Sequence, residues 1–377
     1  MRKFIFLMVM FLAPRVLALE LTSYSKSAIL IEPTTNTIIY ELNKDDRLAP
    51  ASMTKLMTML LIMEAVNDNK IKLDDMVLVS KNAASMGGSQ VFLEENSKIA
   101  VEQLLKGIAI ASGNDAAVAM AEHIAGSTGE FVNMMNNKVK ELGLKNTNFV
   151  NVHGLDADNH YSSAYDMAII AKELLKHEKI LEYTSLYEDY LTKPDGTKTW
   201  LVNTNKLVRF YEGVDGLKTG YTSTAKYCLT STAKKNDIRF ITVVMGVDTA
   251  EYRSADTTSM LNYGFTNYKL NTIVKIGDPI AEVSVSKGKK SSIVVYPREQ
   301  ITDLIKQNEE KNYSYNITKY DLTAPIKKND VVGQLEVVDN SGKVVKIVDL
   351  ISNEEVKKHN FFSMFKYLLE NIITGYL

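Results

Sequence analysis

The hydrophobic pattern changes period three times along the chain. "SAILIEP" and "NTIIYELN" are short β-branched runs on either side of a Pro-Thr-Thr turn and predict a hairpin. From Ala51 to about Asn67 the period becomes helical, with Leu56, Met59, Leu60 and Met63 at i, i+3, i+4 and i+7. "VEQLLKGIAIA", "AAVAMAEHIA", "EFVNMMNNKVKELG" and "AYDMAIIAKELLKH" continue it. After Trp200 the period falls to two. "GLKTGYT", "KYCLTSTAKK" and "RFITVVMGV" predict successive antiparallel strands, with a Lys-Asn-Asp turn at 235–237. Strands, a helical middle and strands again predict one α+β domain over residues 20–268, its antiparallel sheet completed by both ends of the segment. Residues 270–350 alternate in short runs between Gly, Pro and Asn-Asp turns, which fits a small all-β domain.

The two ends read differently. Residues 1–18 hold two basic residues, an apolar run from Phe4 to Ala13, and Val16 and Ala18 in a small-residue cleavage pattern. This is an export signal, although Arg15 is awkward for cleavage and leaves a retained anchor open. Across 354–377, Phe361, Phe365, Leu368, Ile372 and Tyr376 form an apolar face opposite Ser363, Lys366, Glu370 and Thr374. Such a helix suits a membrane surface, or packing on the β domain.

Composition narrows the field. The 377 residues carry 44 basic and 45 acidic side chains, so no global field favours nucleic acid. Cys228 is the only cysteine, which excludes an internal disulfide or a cysteine metal cluster, and in "KYCLTSTA" it reads as a buried structural thiol. No His-Glu-x-x-His and no Gly-x-Ser-x-Gly occurs, which argues against a zinc peptidase and a histidine triad. His153 reads as a structural or supporting residue, and His123 and His177 as solvated or core positions.

Candidate chemistry rests on three polar islands. Ser-x-x-Lys occurs at Ser52/Lys55 and at six other places, so alone it means little. Only Ser52 and Lys55 open a strongly apolar helix directly after a proline, where free N–H groups and the helix dipole favour an alkoxide and a developing oxyanion. A buried lysine beside another cation can populate its neutral amine and act as base. The bland reading of Ser52 is a helix cap. In "IAIASGNDAAVAM", Ser112 and Asn114 can face one cavity only if a turn interrupts the helix, and Gly113 permits it. Lys218-Thr219-Gly220 occurs once. A lysine beside a bare glycine on a strand suits an anion site, against the commoner case of an exposed strand lysine.

In this order the islands resemble the penicillin-recognising serine acyl transferases of β-lactamase/transpeptidase-like fold. "ASMTKLMT", "ASGNDAAVAMAEHIAG", "NVHGLDADNHYSSAYDMA", "GVDGLKTGYT", the β domain and the amphipathic tail are similar to the low-molecular-weight serine D-alanyl-D-alanine carboxypeptidases. The resemblance implies that Ser52 attacks the peptide bond between two D-alanines, with Lys55 as base. It implies a proton relay through Ser112 and Lys218, with Asn114 holding the substrate backbone or Lys55. Thr219 and Arg253 match carboxylate-binding positions, Gly220 lies in the same strand motif, and the N–H groups of Ser52 and Tyr221 match an oxyanion hole. The implied partners are peptidoglycan stems ending in D-Ala-D-Ala, β-lactams and, through the tail, the outer face of the cytoplasmic membrane. No metal or organic cofactor is implied. A β-lactamase is the nearest rival, but no Glu-x-x-Leu-Asn lies between Ser112 and Lys218. A non-catalytic binder of stem peptides is the other.

Overall fold

The computed structural model describes residues 19–374, so the expected export signal at 1–18 lies outside the described residues. The chain divides into two compact units.

The first holds Ile39–Thr232 and Ile241–Tyr263 with the chain before Leu30. Strands β1 (Ser27–Glu32), β2 (Thr37–Leu42), β3 (Val214–Thr222), β4 (Lys226–Lys235) and β5 (Ile238–Val247) make a five-stranded sheet in the order β2-β1-β5-β4-β3. Residues from both ends of the segment therefore build one sheet. Every residue of β1 is buried, which explains its unbroken apolar run. The β1–β2 turn is closed by Glu32, whose carboxylate accepts from the N–H groups of Thr34 and Thr35.

Between the sheet segments run helices α1 (Lys55–Asn67), α2 (Val101–Ala109), α3 (Asn114–Ala125), α4 (Thr128–Glu141) and α5 (Ala164–Leu174), with α6 (Ala250–Asn267) after β5. Ser127 and Ser163 cap α4 and α5 by accepting from the N–H groups of Glu130 and Asp166. The strongly apolar α1 expected from the sequence is buried on every side. All residues from Lys55 to Met63 are buried, because this helix is enclosed by α3, α5 and other elements rather than lying on a surface. Two short antiparallel ribbons complete the unit, Met76–Leu78 with Lys98–Ala100, and Glu188–Thr192 with Lys198–Val202.

The second unit contains Gly264–Leu377 with Ile31–Ile38 and Ala233–Phe240. Its strands are β6 (Tyr268–Val274), β7 (Ala281–Ser286), β8 (Ser292–Pro297), β9 (Ile301–Lys306), β10 (Tyr313–Lys319), β11 (Leu322–Thr323), β12 (Val331–Asp339) and β13 (Val344–Ser352). They form a six-stranded sheet, β10-β12-β13-β8-β7-β11, and the pair β6-β9. Val283, Val295, Leu335, Val337, Val348 and Leu350 are among its core residues. The tail helix, α7, spans Phe361–Thr374. The residues before it are not helical, since Val356 and Lys358 bridge to Ile326 and Gly288 and their backbone is taken up by the β domain. Phe361, Phe362, Phe365, Leu369, Ile372 and Ile373 of α7 are exposed. Among the described residues, no helix is long and apolar enough to cross a membrane.

Candidate active site

A single 3₁₀ turn, Ala51–Thr54, leads from Pro50 into α1 and carries Ser52. Lys55 begins the helix and is wholly buried. Its Nζ lies 3.0 Å from Ser52 Oγ, 2.6 Å from Asn114 Oδ1 and 2.7 Å from the carbonyl oxygen of His153. Burial, and then the charge of Lys218, hold the Lys55 pKa well below the usual lysine range, while Asp115 pulls the other way. The two carbonyl oxygens can only accept hydrogen bonds. A neutral amine therefore spends both N–H groups on Asn114 and His153 and turns its lone pair towards the Ser52 hydroxyl.

Asn114 opens α3 and donates through Nδ2 to the Gly87 carbonyl at 2.7 Å. Asp115 fixes the same loop by accepting from the N–H groups of Val91 and Leu93. The break between α2 and α3 is where the sequence placed it. Ser112, at φ 64°, takes a left-handed conformation, while Gly113 sits at φ −55°. Gly113 is needed for space, because a β-carbon there would stand 2.9 Å from Asp115 Oδ1 and 3.1 Å from Val91 Cγ1. Ser112 Oγ is buried and has no hydrogen-bond partner among the described residues.

The carbonyl that meets Lys55 is delivered by "NVHGLD". Gly154, at φ +93°, brings the loop backbone against Ala51, and Thr58 Oγ1 donates to the Val152 carbonyl at 2.6 Å. His160 completes the seam. Its Nδ1 accepts from the Val150 N–H at 3.0 Å, so Nε2 carries the proton and donates to Thr54 Oγ1 at 2.8 Å. Burial pushes both His153 and His160 down to about 4, His153 further disfavoured by the charge of Lys55.

Strand β3 forms the opposite wall. A β-carbon on Gly220 would stand 2.7 Å from the Pro50 carbonyl oxygen and 3.1 Å from the Ser52 nitrogen, so glycine lets the strand run against the Ser52 turn. Lys218 is buried rather than exposed, and donates to the Thr219 carbonyl at 3.2 Å. Burial, then the neighbouring Arg253, push its pKa down to about 7. Thr219 Oγ1 donates to Thr204 Oγ1 at 2.6 Å. Arg253, on α6, is buried with its Cζ 5.9 Å from the centre of the Tyr227 ring, and its Nε lacks a partner among the described residues. The Tyr221 side chain is exposed and tilts against Tyr227 with ring centres 4.4 Å apart. Cys228 is buried, and burial raises its thiol pKa to about 11, in keeping with a structural thiol.

Ser52, Lys55 and Asn114 thus meet in direct contact, Gly220 abuts Ser52, and Lys218 acts on Lys55 through its charge. The Ser112 hydroxyl hydrogen-bonds to none of them, and that of Thr219 is engaged by Thr204. Asp115, Gly154, His160 and Thr204 were given no role from sequence. Gly154 and His160 stand inside the quoted "NVHGLDADNHYSSAYDMA", but nothing local marks either as reaching the Ser52 turn.

A serine and a buried amine at the mouth of the central helix, facing a sheet edge lined by cations, define a penicillin-recognising serine transferase. The chain belongs to the D-alanyl-D-alanine carboxypeptidase family: the model of that family, Peptidase S11, matches residues 15–249. Residues 268–358 match the C-terminal domain of penicillin-binding protein 5. D-alanyl-D-alanine carboxypeptidase DacF of Bacillus subtilis is 51% identical over 349 residues, covering 92% of this chain and 90% of that protein. DacC of Escherichia coli is 36% identical over 378 residues, covering 93% and 90%. The crystal structure of penicillin-binding protein 5 from Haemophilus influenzae superposes with a TM-score of 0.76 at 34% identity, covering 89% of this chain and 98% of that one.

Proposed function

We propose that this chain is an exported serine carboxypeptidase that removes the terminal D-alanine from peptidoglycan pentapeptide stems, with the residue roles that follow. Ser52 Oγ attacks the carbonyl between the two D-alanines while its proton passes to the neutral Lys55 amine. The N–H groups of Ser52 and Tyr221 receive the oxyanion, which is stabilised where charge develops. The C–N bond breaks, and the departing amine takes its proton through Ser112 and Lys218. Water then cleaves the ester and restores Ser52. Arg253 and Thr219 hold the substrate carboxylate, drawn by the positive field of Lys218 and Arg253.

The observation that carries this reading is the Lys55 amine, buried and held by two acceptor-only oxygens with its remaining direction on Ser52. The partnerless Ser112 hydroxyl supports the relay, since it is free to bond a leaving group. In the same reading the exposed apolar residues of α7 rest the protein on the outer face of the cytoplasmic membrane.

Treatment with penicillin, followed by mass spectrometry, should locate a long-lived adduct on the peptide containing Ser52. The protein should release D-alanine from a diacyl-Lys-D-Ala-D-Ala peptide, and Ser52→Ala should not. Rapid penicillin turnover would favour a β-lactamase, and no D-alanine release a binder. For the tail, a chain ending at Ser352 should leave the membrane fraction, and equal partitioning would refute the anchor.

A further inference from the structure

The ribbon of Glu188–Thr192 and Lys198–Val202 has no part in the chemistry above. Tyr190 stands directly opposite Trp200 across it. Alternation sorts its two faces, with Leu191 and Leu201 buried and Tyr190 and Trp200 exposed by 48% and 59%. Trp200 is the chain's single tryptophan. Two large rings side by side on the free face of a ribbon leave apolar area in water that folding does not use. Polar groups flank them: Lys198 Nζ lies 5.8 Å from the centre of the Tyr190 ring, and Glu188 and Thr192 are exposed on the same face.

The ribbon is held firmly. Lys106 on α2 pairs with Asp189, the Thr192 N–H donates to Gln103 Oε1 at 2.9 Å, and Lys193 meets Glu94 at 2.6 Å. It also runs directly into the site. Four residues beyond Trp200 is Thr204, whose hydroxyl accepts from Thr219. Four residues reach at most about 14 Å. An extended pentapeptide spans about 17 Å, so a stem anchored at Thr219 and running along the ribbon is long enough to carry its sugar-bearing end to the two rings.

We propose that the Tyr190–Trp200 face is a sugar-binding platform that takes the glycan end of the polymer whose stem peptide the site cuts. The proposal rests on the carboxypeptidase reading. Aromatic faces stack on the C–H face of a pyranose, and the flanking carboxylate, amine and hydroxyl bond its edge groups. A protein partner fits less well, because stable protein interfaces bury about 800 Å² a side and two rings flanked by charges offer far less.

The test compares the full-length protein with Trp200→Ala and Tyr190→Ala on two substrates, a disaccharide-pentapeptide and the same pentapeptide without sugar. We expect kcat/KM on the sugar-bearing substrate to fall about tenfold in each variant, with the sugar-free peptide changed less than about twofold. Trp200 fluorescence in the unaltered protein should change saturably on titration with N-acetylglucosamine oligomers. Equal losses on both substrates, or none on either, would overturn the platform. If the unaltered protein turned over neither substrate, the carboxypeptidase reading would fall instead. The titration would then decide alone, and no saturable change would overturn the platform.

Discussion

A β-carbon on Gly154 would stand 1.9 Å from the carbonyl oxygen of Ala51. Backbone meets backbone there, and the close approach is what carries the His153 carbonyl to the Lys55 amine. Gly154→Ala has neither the room nor the φ of +93° that the position uses. It should cost about 2–3 kcal/mol of stability and slow acylation by penicillin at least about a hundredfold. Thermal unfolding and rapid-mixing kinetics check both. An unchanged acylation rate would show that Lys55 does not need that carbonyl.

Ser112 separates stability from activity. Its buried hydroxyl has no partner among the described residues, so its loss should be neutral or stabilising by up to about 1 kcal/mol. If the hydroxyl passes a proton to the leaving amine, Ser112→Ala should still lower D-alanine release by about 10²–10⁴-fold. Denaturant unfolding beside peptide turnover would show it. A variant that was both less stable and fully active would reverse the argument.

The pH profile should carry the mark of Lys218. With its pKa near 7, protonated Lys218 is lost above neutrality, giving kcat/KM an alkaline limb. Arg253→Gln removes a cation that disfavours the charged amine, so the limb should move to higher pH even as overall activity falls. Stability follows the same group. Between pH 7 and about 10.4 the folded chain binds fewer protons here than the unfolded chain, so this burial penalty is full at lower pH and fades through the window. Lys218→Met should therefore raise the melting temperature more at pH 7 than at pH 10, and an equal rise at both would contradict this.

His160 should make the catalytic domain sensitive to acid. Its pKa falls from about 6.5 unfolded to about 4 folded, so stability is lost as pH drops through that window. Protonation puts a second N–H on Nδ1 against that of Val150 and breaks that hydrogen bond, while Nε2 keeps donating to Thr54. Asp156 opposes the shift, and His153 titrates alongside it. His160→Gln keeps a donor and an acceptor, and should remove on the order of 3 kcal/mol of the acid loss. Unfolding curves at pH 7 and pH 4 would reveal the difference. Identical pH dependence in both proteins would place the sensitivity elsewhere.

The outline of the fold was legible because α2 to α5 and the paired strands each carry a period that local sequence records. Ser52, Lys55, Asn114 and Lys218 stand in motifs that are individually weak, and it was the order of the motifs together with the family resemblance that singled them out. The remainder depends on contacts between distant segments. Lys55 meets His153 across 98 residues, and Thr54 meets His160 across 106. No window of sequence contains either pair. The left-handed backbone at Ser112 is not legible in the sequence, because the turn alone does not say which residue bends.

The strand order has a consequence for synthesis. In the sheet, β1 lies between β2 and β5, so it stays unpaired on one side until residues 238–247 have left the ribosome. No nascent chain stopped short of them can close the domain, and contacts this remote in sequence form slowly. Until then the bare edge of β1 is open to other strands, and protection during those seconds falls to whatever receives the growing chain.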